Sequence, residues 1–231
     1  MRSRERTNFT YDLTALNREH LAWYVADLSG ASVGEIRGFM LEIETDTMLA
    51  DHVLEATATS PRRRLADRRL RLGKRIGWYA LIRAIRPAHV VETGTDKGLG
   101  SCVLAAALLR NGIGSLTTID TNPDSGYLIS GRYAEVVDRV IASSIEHLAR
   151  MSEPVDLFIH DSLHTWEYET AEFEAVHRLM TPRGLVVSDN AHATDALPAW
   201  AETTGRRFSY FGEQPAEHWY PGAGIGTASP G

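Results

Sequence analysis

The sequence predicts an α/β fold: a doubly wound, mostly parallel sheet with an antiparallel edge strand, plus an N-terminal helical extension. Three observations support this fold class. From residue 88 onward, apolar strand-like runs alternate with helix-like segments, which is typical of a parallel sheet covered by helices. A glycine-rich turn follows the first of these runs. The last two runs, at residues 208–211 and 225–228, are too close for a helical crossover, which indicates an antiparallel pair at the sheet edge.

The first element is the N-terminal extension, which we place at residues 1–73 and predict to be helical and partly irregular, as a cap or lid. Within it, the basic stretch from Pro61 to Arg75 predicts a helix with a solvated cationic face, and a surface for an anionic partner is the alternative. One helix face is predicted from the spacing of its apolar residues, which are Leu21, Tyr24, Val25 and Leu28.

The sheet is predicted to lie in residues 74–231. Five apolar runs separated by helical segments read as parallel strands, and two later runs read as the antiparallel pair. The predicted strands are His89–Glu92, Ser115–Asp120, Val140–Ala142, Val155–His160, Gly184–Asp189, Phe208–Phe211 and Ile225–Ala228.

Amino-acid composition limits the classes of function that the protein can have. The 231 residues carry a net charge of -6, which argues against a protein that binds nucleic acid through phosphate contacts. The single cysteine, Cys102, cannot form an internal disulfide, and the charged N-terminus is not followed by the apolar stretch of a signal peptide, so we expect a cytoplasmic protein. No apolar run approaches the ~20 residues of a membrane-spanning helix, so no membrane partner is expected.

The turn after the first strand is the usual nucleotide-holding loop of an open α/β sheet. Gly94, Gly98 and Gly100 give it a G-x-x-x-G-x-G spacing, which departs from the G-x-G-x-x-G typical of NAD sites. Glu92, directly before the turn, would repel a pyrophosphate and suits a cationic ligand. The turn by itself remains compatible with tight packing alone.

Asp120 ends the second strand, where a carboxylate can accept two hydrogen bonds from a ribose diol. It also opens a plausible Asx-type turn, and both roles are compatible. After the third strand, Ser143 and Ser144 offer hydroxyl groups near the expected position of an adenine edge, although either could instead cap a helix.

Polar residues also follow the fourth and fifth strands. If these strands are neighbours, Asp161, Asp189 and Asn190 bring three oxygen ligands into a cleft beside the nucleotide. Such ligands suit Mg²⁺. Turns and a helix N-cap are the structural alternatives for these residues. The nearby histidines leave the identity of the metal open, because they could form a site for Zn²⁺ or Fe²⁺; they are His160, His164 and His192.

His164 is the candidate general base. An ordinary histidine titrates near ~6.5, so at neutral pH it can accept a proton from a substrate hydroxyl group. A surface histidine is the alternative. Aromatic residues nearby and late in the chain could line an acceptor pocket or serve as packing residues: Trp166, Tyr168, Trp219 and Tyr220.

Over roughly residues 74–231 these motifs resemble the class I S-adenosylmethionine-dependent methyltransferases, which have a Rossmann-like fold. Within that superfamily they are most similar to metal-dependent O-methyltransferases of the catechol type and to bacterial enzymes that tailor sugars and antibiotics. The resemblance implies a divalent metal, Mg²⁺, on Asp161, Asp189 and Asn190. It implies catalytic roles for Asp161 and His164, where His164 replaces the lysine base of catechol-type enzymes. The implied cofactor-binding residues are Glu92, Gly94, Thr95, Gly98, Ser101, Asp120, Ser143, Ser144 and Asp161.

The sequence therefore predicts a metal-assisted O-methyltransferase that acts on a small hydroxylated molecule in natural product biosynthesis and works as a homo-oligomer. Three alternatives stay open at this point. They are a metal-independent N- or O-methyltransferase, a nicotinamide-dependent oxidoreductase, and a nucleotide-binding protein without catalysis.

Overall fold

A computed structural model describes residues 10–64 and 69–231, in which two helical layers enclose a seven-stranded sheet. The α-helices are α1 (Ala15–Ser29), α2 (Val33–Glu44), α3 (Thr47–Thr59), α4 (Arg75–Ile85), α5 (Leu99–Asn111), α6 (Ser144–Arg150), α7 (Trp166–His177) and α8 (Ala196–Thr203). The strands are β1 (Asp12–Leu13), β2 (His89–Thr93), β3 (Ser115–Asp120), β4 (Val137–Ile141), β5 (Val155–His160), β6 (Met180–Ser188), β7 (Arg207–Gly212), β8 (Pro215–Ala216) and β9 (Gly224–Ser229). Among the described residues, no helix is both long and apolar enough to cross a membrane.

Five neighbouring strands of the large sheet run parallel, in the order β4-β3-β2-β5-β6. β9 pairs antiparallel with β6 on one side and with β7 on the other, so β7 lies at the edge. The segment between β7 and β9 contains only the short β8 and no helix, which suits a reversal of chain direction. The predicted doubly wound sheet with an antiparallel pair at its edge is confirmed.

Successive strand residues point to opposite faces of the sheet, and each face has its own apolar core. Val90 and Leu157 belong to the core shared with α1, α2, α4 and α5. Their neighbours Val91 and Phe158 belong to the core shared with α6, α7 and α8. The strands are therefore covered by helices on both sides, which leaves the strand ends as the place for a ligand.

The N-terminal helices belong to the first of these cores. A capping box between Ser32 and Glu35 fixes the start of α2, and buried residues of the extension such as Ile36 and Met40 lie in the same core as Val90. Near the cleft, β1 pairs with β8. The helical character of the extension is confirmed, and the domain boundary after residue 73 stays a prediction.

The predicted helix through the basic stretch is wrong in its described part. Pro61–Arg64 forms a short 3₁₀ helix, residues 65–68 lie outside the described residues, and α4 starts only at Arg75. Gly73 has φ +51°, a left-handed conformation that interrupts a right-handed helix. The sequence predicted that the positive charges of this stretch face solvent. Lys74, directly after the interruption, is instead buried.

Candidate active site

The carboxyl ends of β2, β3, β5 and β6 meet at one edge of the sheet, where two adjoining cavities open. The first has a volume of about 250 Å³ and the second about 370 Å³. Four residues line both cavities: Gly94, Asp96, Asp161 and Ser162. Two ligands bound in these cavities would meet beside Asp161.

The glycine turn closes tightly against the end of β5. Gly94 has φ +88°, and a Cβ atom at this position would lie 2.0 Å from the carbonyl oxygen of Asp161. Gly98 has φ +90° and precedes the first turn of α5, whose first residues Leu99 and Gly100 line the first cavity. The turn therefore has the shape of a ligand cradle in which a side chain at residue 94 cannot be accommodated, and the start of α5 brings free N–H groups to it.

Glu92, at the end of β2, is buried and lines the first cavity. Burial raises the pKa of its carboxyl group to about 7, although hydrogen bonds from the hydroxyl groups of Ser101 and Thr118 favour the ionised form. Ser101 is fully buried under Glu92 and holds that carboxylate, and its role in cofactor binding stays a prediction. Thr95 lines the cavity and its hydroxyl group shares a hydrogen bond of 2.7 Å with Thr118.

Asp120 lines the second cavity, and its role in holding a ribose stays a prediction. Its two carboxylate oxygens accept hydrogen bonds from the backbone N–H groups of Asp96, at 3.0 Å, and Asn122, at 2.8 Å. The Asx-type turn is thus present, and Asp120 also fixes the glycine turn. An ionised carboxylate has further lone pairs that can accept bonds from a diol.

The two predicted serines have different positions. Ser144 lines the second cavity, and its hydroxyl group bonds with Glu172 and, at 2.9 Å, with the hydroxyl group of Tyr168. Ser143 is the N-cap of α6 and accepts a hydrogen bond from the N–H of Glu146, which is the capping alternative. Tyr168 also lines the second cavity, next to Leu163.

Asp161, Asp189 and Asn190 all line the first cavity, so the predicted oxygen-rich group is brought together. The carboxyl groups of Asp161 and Asp189 share a hydrogen bond. Burial and the charge of Asp189 raise the pKa of Asp161 well above its usual range. Although burial opposes ionisation of Asp189, the nearby ammonium of Lys74 holds its pKa below the usual range. The neutral form is therefore favoured at Asp161 and the ionised form at Asp189.

These residues do not fit a divalent metal. Lys74 forms an ion pair with Asp189 and a second one, at 3.3 Å, with Glu213. Arg75 lies beside them and adds a second positive charge that acts on Asp161 and Asp189. A metal ion on Asp189 would have to lie against the ammonium, and like charges at such distances repel strongly in a buried site.

A second group of polar residues lies behind His164, which itself lines the first cavity. Its Nδ1 is 3.2 Å from Oε1 of Glu169, and its Nε2 is 3.9 Å from Oδ1 of Asp161. His160 continues the chain inward, with Nε2 3.4 Å from the same Glu169 oxygen and Nδ1 2.6 Å from Glu172. The result is an alternating row of imidazoles and carboxylates that runs from the cleft into the core.

Electrostatics fix the protonation of this row. Burial alone would lower the pKa of His160, but Glu169 and Glu172 raise it to about 9. Burial would raise the pKa of Glu169, but hydrogen bonds from His160, His164 and Thr194 lower it to about 2. At neutral pH, Glu169 is therefore a carboxylate beside an imidazolium. Since an ionised carboxylate only accepts hydrogen bonds, Nδ1 of His164 carries a proton.

The positions of these histidines also bear on the predicted histidine metal site. Donor atoms of His160, His164 and Glu169 lie within 4.8 Å of one another. His160 lies between Glu169 and Glu172, which raise its pKa to about 9, so a metal bound to this ring would have to displace a proton. His192 is exposed and lies outside this group.

Sequence reasoning missed Lys74, Glu169 and Glu172. Lys74 stands in a run of arginines whose average behaviour is a solvated face, and its partner Asp189 is 115 residues away. A weak signal was present, since Lys74 is the only lysine of that stretch. Glu169 and Glu172 are three residues apart on a helix that follows His164, a spacing that places two carboxylates on one helix face.

The fold and the two cavities fit a class of protein: an α/β enzyme with space for a nucleotide-like cofactor at a glycine turn and for an acceptor beside it. A family model described as a methyltransferase domain matches residues 91–191, from β2 to just beyond β6. Over these residues the chain is similar to a methyltransferase domain, and its sheet and helices have the Rossmann-like fold that the sequence predicted.

Solved structures of similar fold include several O-methyltransferases. TomG from Streptomyces achromogenes, an O-methyltransferase involved in tomaymycin synthesis and solved with S-adenosylmethionine, has a TM-score of 0.59 and 17% identity over 82% of this chain and 95% of TomG. An O-methyltransferase from Bacillus cereus, solved with S-adenosylhomocysteine, has a TM-score of 0.53 and 15% identity over 91% of this chain and 97% of that one. A putative O-methyltransferase from Klebsiella pneumoniae has a TM-score of 0.57 and 15% identity over 80% and 90%, respectively. No curated protein sequence matches the chain.

Proposed function

We propose that this protein is a methyltransferase that transfers a methyl group to a hydroxyl oxygen of a small molecule, such as a secondary metabolite. The observation that carries the proposal is the position of His164 in the first cavity, with Nδ1 on Glu169 and Nε2 toward Asp161. In this orientation the neutral ring presents a lone pair on Nε2 to an acceptor hydroxyl group. The O-methyltransferases of similar fold support oxygen as the acceptor atom.

The two cavities suggest how the ligands divide. The second cavity, with Asp120 and Ser144, suits the adenosine part of the cofactor. The first cavity, with Glu92 next to the glycine turn, suits its cationic end and the acceptor. Gly94, Thr95 and Gly98 would form the loop between the two parts of the cofactor, and Asp161 would lie at the point where methyl group and acceptor meet.

Bound S-adenosylmethionine would supply a methyl group on a sulfonium: the acceptor oxygen forms the new C–O bond while the C–S electron pair stays on sulfur. His164 takes the proton of the acceptor at Nε2, and Glu169 stabilises the imidazolium that forms. The cavities hold the two ligands side by side, which lowers the entropic part of the barrier. Metal assistance, which the sequence led us to expect, is left out because Lys74 holds Asp189.

Two further proposals concern the cellular compartment and the oligomeric state of the protein. The single cysteine, Cys102, is free and buried, which agrees with a reducing cytoplasm. The N-terminal helices expose large apolar side chains, which supports assembly of a homo-oligomer through them; these residues are Leu16, Trp23, Leu41 and Met48. Light scattering after size exclusion would test the assembly, and a strictly monomeric protein would contradict it.

The activity is tested by incubating the protein with methyl-labelled S-adenosylmethionine and a matched panel of phenols, sugars, aliphatic alcohols and amines. Product masses and fragmentation should show transfer to oxygen in at least one hydroxylated acceptor, with loss of transfer in His164→Gln. Transfer to amines only would contradict the proposal. Cofactor binding by calorimetry without turnover on the whole panel would favour a binding protein.

A further inference from the structure

The first cavity contains a positive charge at the place where the sequence led us to expect a metal. Lys74 is buried, and its ammonium contacts the carboxylates of Asp189 and Glu213. We propose, resting on the O-methyl transfer above, that Lys74 replaces a divalent metal in this enzyme: its ammonium binds the acceptor oxygen and balances the negative charge that develops there.

Local charge supports this assignment. The carboxylates of Asp189 and Glu213 both form ion pairs with one ammonium, and Asp161 lines the same cavity. An ammonium has three N–H donors; one is used by Asp189, and Glu213 lies at ion-pair distance, 3.3 Å away. Because Lys74 also lines the cavity, a further donor can reach an oxygen atom bound there.

The choice of lysine over arginine at residue 74 supports a specific role for this residue at the acceptor oxygen. Of the 24 basic residues counted as lysine and arginine, only Lys74 and Lys97 are lysines, and both are buried and line the first cavity. Lysine carries a compact charge, whereas the guanidinium of arginine is broad and planar. A compact charge can take the place of a metal ion between closely spaced oxygens.

Chemically, the ammonium does part of what a metal would do. The acceptor proton moves to Nε2 of His164, the oxygen forms its bond to the methyl carbon, and the C–S electron pair remains on sulfur. Lys74 keeps its own protons during this step and stabilises the oxygen by charge and one hydrogen bond. No metal ion and no further reactant is needed for the balance.

A first experiment needs no substrate. Binding of Mn²⁺ to the protein is measured by electron paramagnetic resonance for the unmodified chain and for Lys74→Met. We expect no stoichiometric binding by the unmodified chain at micromolar Mn²⁺, and an affinity at least about tenfold higher in Lys74→Met, because the acid pair then lacks its cation. One bound Mn²⁺ in the unmodified chain that Asp189→Asn removes, or no gain in Lys74→Met, would overturn the proposal.

The second experiment uses an acceptor found by the panel. Activity should persist within about twofold after exhaustive treatment with EDTA, and Lys74→Met should lower kcat by about 100-fold, the cost of removing one oxyanion donor. Lys74→Arg, which keeps the charge, should recover only a small part of it. Arg183→Met, which removes an exposed cation on β6 outside both cavities, is the matched control and should leave kcat unchanged.

The outcomes separate the two proposals. Loss of activity in EDTA with recovery on adding Mg²⁺ would refute the role of Lys74 while leaving O-methyl transfer intact. Full activity of Lys74→Met would do the same. If no acceptor is methylated at all, O-methyl transfer fails, and the Mn²⁺ measurement still decides whether Lys74 excludes a metal. Binding of S-adenosylhomocysteine within about threefold of the unmodified chain confirms that Lys74→Met is folded.

Discussion

Glu92 and Glu169 are both buried glutamates, yet their environments move their pKa values in opposite directions. The pKa of Glu92 rises to about 7 because burial outweighs two neutral hydroxyl donors. Burial acts on Glu169 as well, but histidine partners and a threonine hydroxyl group lower its pKa to about 2. The difference lies in the partners, since charged donors stabilise a carboxylate about twice as strongly as neutral ones.

We predict that the affinity for S-adenosylmethionine rises as pH is raised through about 7. Glu92 is neutral below this range and ionised above it, and only the ionised form attracts a cationic ligand. Calorimetry in buffers of different ionisation enthalpy should detect proton release on binding near pH 7. In Glu92→Gln the affinity should be weaker at high pH, and a pH dependence unchanged by this substitution would contradict the assignment.

A second prediction concerns the orientation of His164. Replacing Glu169 with Gln leaves the size unchanged and removes the charge that holds Nδ1–H. A hydrogen bond to a charged group contributes about 1.5–3 kcal/mol, which corresponds to about 10- to 100-fold in kcat. KM for the acceptor should change little, because the effect falls on the transition state.

Glu167→Gln, on the same helix but outside the row, is the control for this substitution and should leave kcat unchanged. Steady-state kinetics with one acceptor would measure both variants. Equal loss in the two variants, or a rise in KM without a fall in kcat, would show that Glu169 has no role in orienting the base.

The site residues that could be predicted from the sequence are those that directly follow strands. The strand order brings the ends of these strands to one edge of the sheet. Asp120, Asp161, Asp189, Asn190 and His164 all line a cavity. The sequence could not predict which residues neutralise them. Ion pairs such as that of Lys74 with Asp189 join distant segments and depend on how a loop enters a helix.

Among the elements, the glycine turn carries the tightest geometric requirement. Gly94→Ala would place a methyl group 2.0 Å from the backbone oxygen of Asp161, so the turn and the end of β5 must separate. We predict loss of S-adenosylhomocysteine binding by at least about 100-fold, because a change of this size removes the shared wall of both cavities and about 3 kcal/mol of binding.

Gly112→Ala is the matched control, since Gly112 also has positive φ, at 68°, but has open space around it. It should cost about 1–2 kcal/mol of stability from backbone strain and leave binding intact. Calorimetry and urea unfolding on the two variants would separate the effects. Normal binding by Gly94→Ala would show that the turn does not form the cofactor site.

Strands were predicted more accurately than the basic stretch for a physical reason. A buried strand is a short apolar run, and β3 and β5 have the predicted bounds. The composition of the stretch before α4 favours a helix, but tertiary packing prevents one. Gly73 has a left-handed backbone conformation and packs against the ring of Tyr11. β4 starts three residues before its predicted position, since its edge location leaves it partly polar.

At the scale of the whole molecule, the N-terminal helices and the sheet share one core. We therefore predict that Met40→Ala, in α2, costs about 2–5 kcal/mol and shifts the unfolding of the entire chain in a single transition. Ile113→Ala is the control, since this side chain lies outside the proposed assembly surface and is 47% exposed, and its loss should cost less than about 0.5 kcal/mol.

Urea unfolding followed by circular dichroism and by tryptophan fluorescence would measure both variants. Two separate transitions, with only the first moved by Met40→Ala, would mean that the N-terminal helices fold independently of the sheet. A single transition is expected because the N-terminal helices and the sheet share one apolar core.

The confinement of both lysines to the cleft has a practical consequence for chemical labelling. Reagents that acylate ε-amino groups find Lys74 and Lys97 shielded in the folded protein, so the rate of lysine modification reports opening of the cleft and not surface reactivity. A ligand that closes the cleft should protect both residues, which mass spectrometry can follow peptide by peptide. Amine coupling through lysine, by the same logic, would immobilise preferentially those molecules whose site is open or damaged.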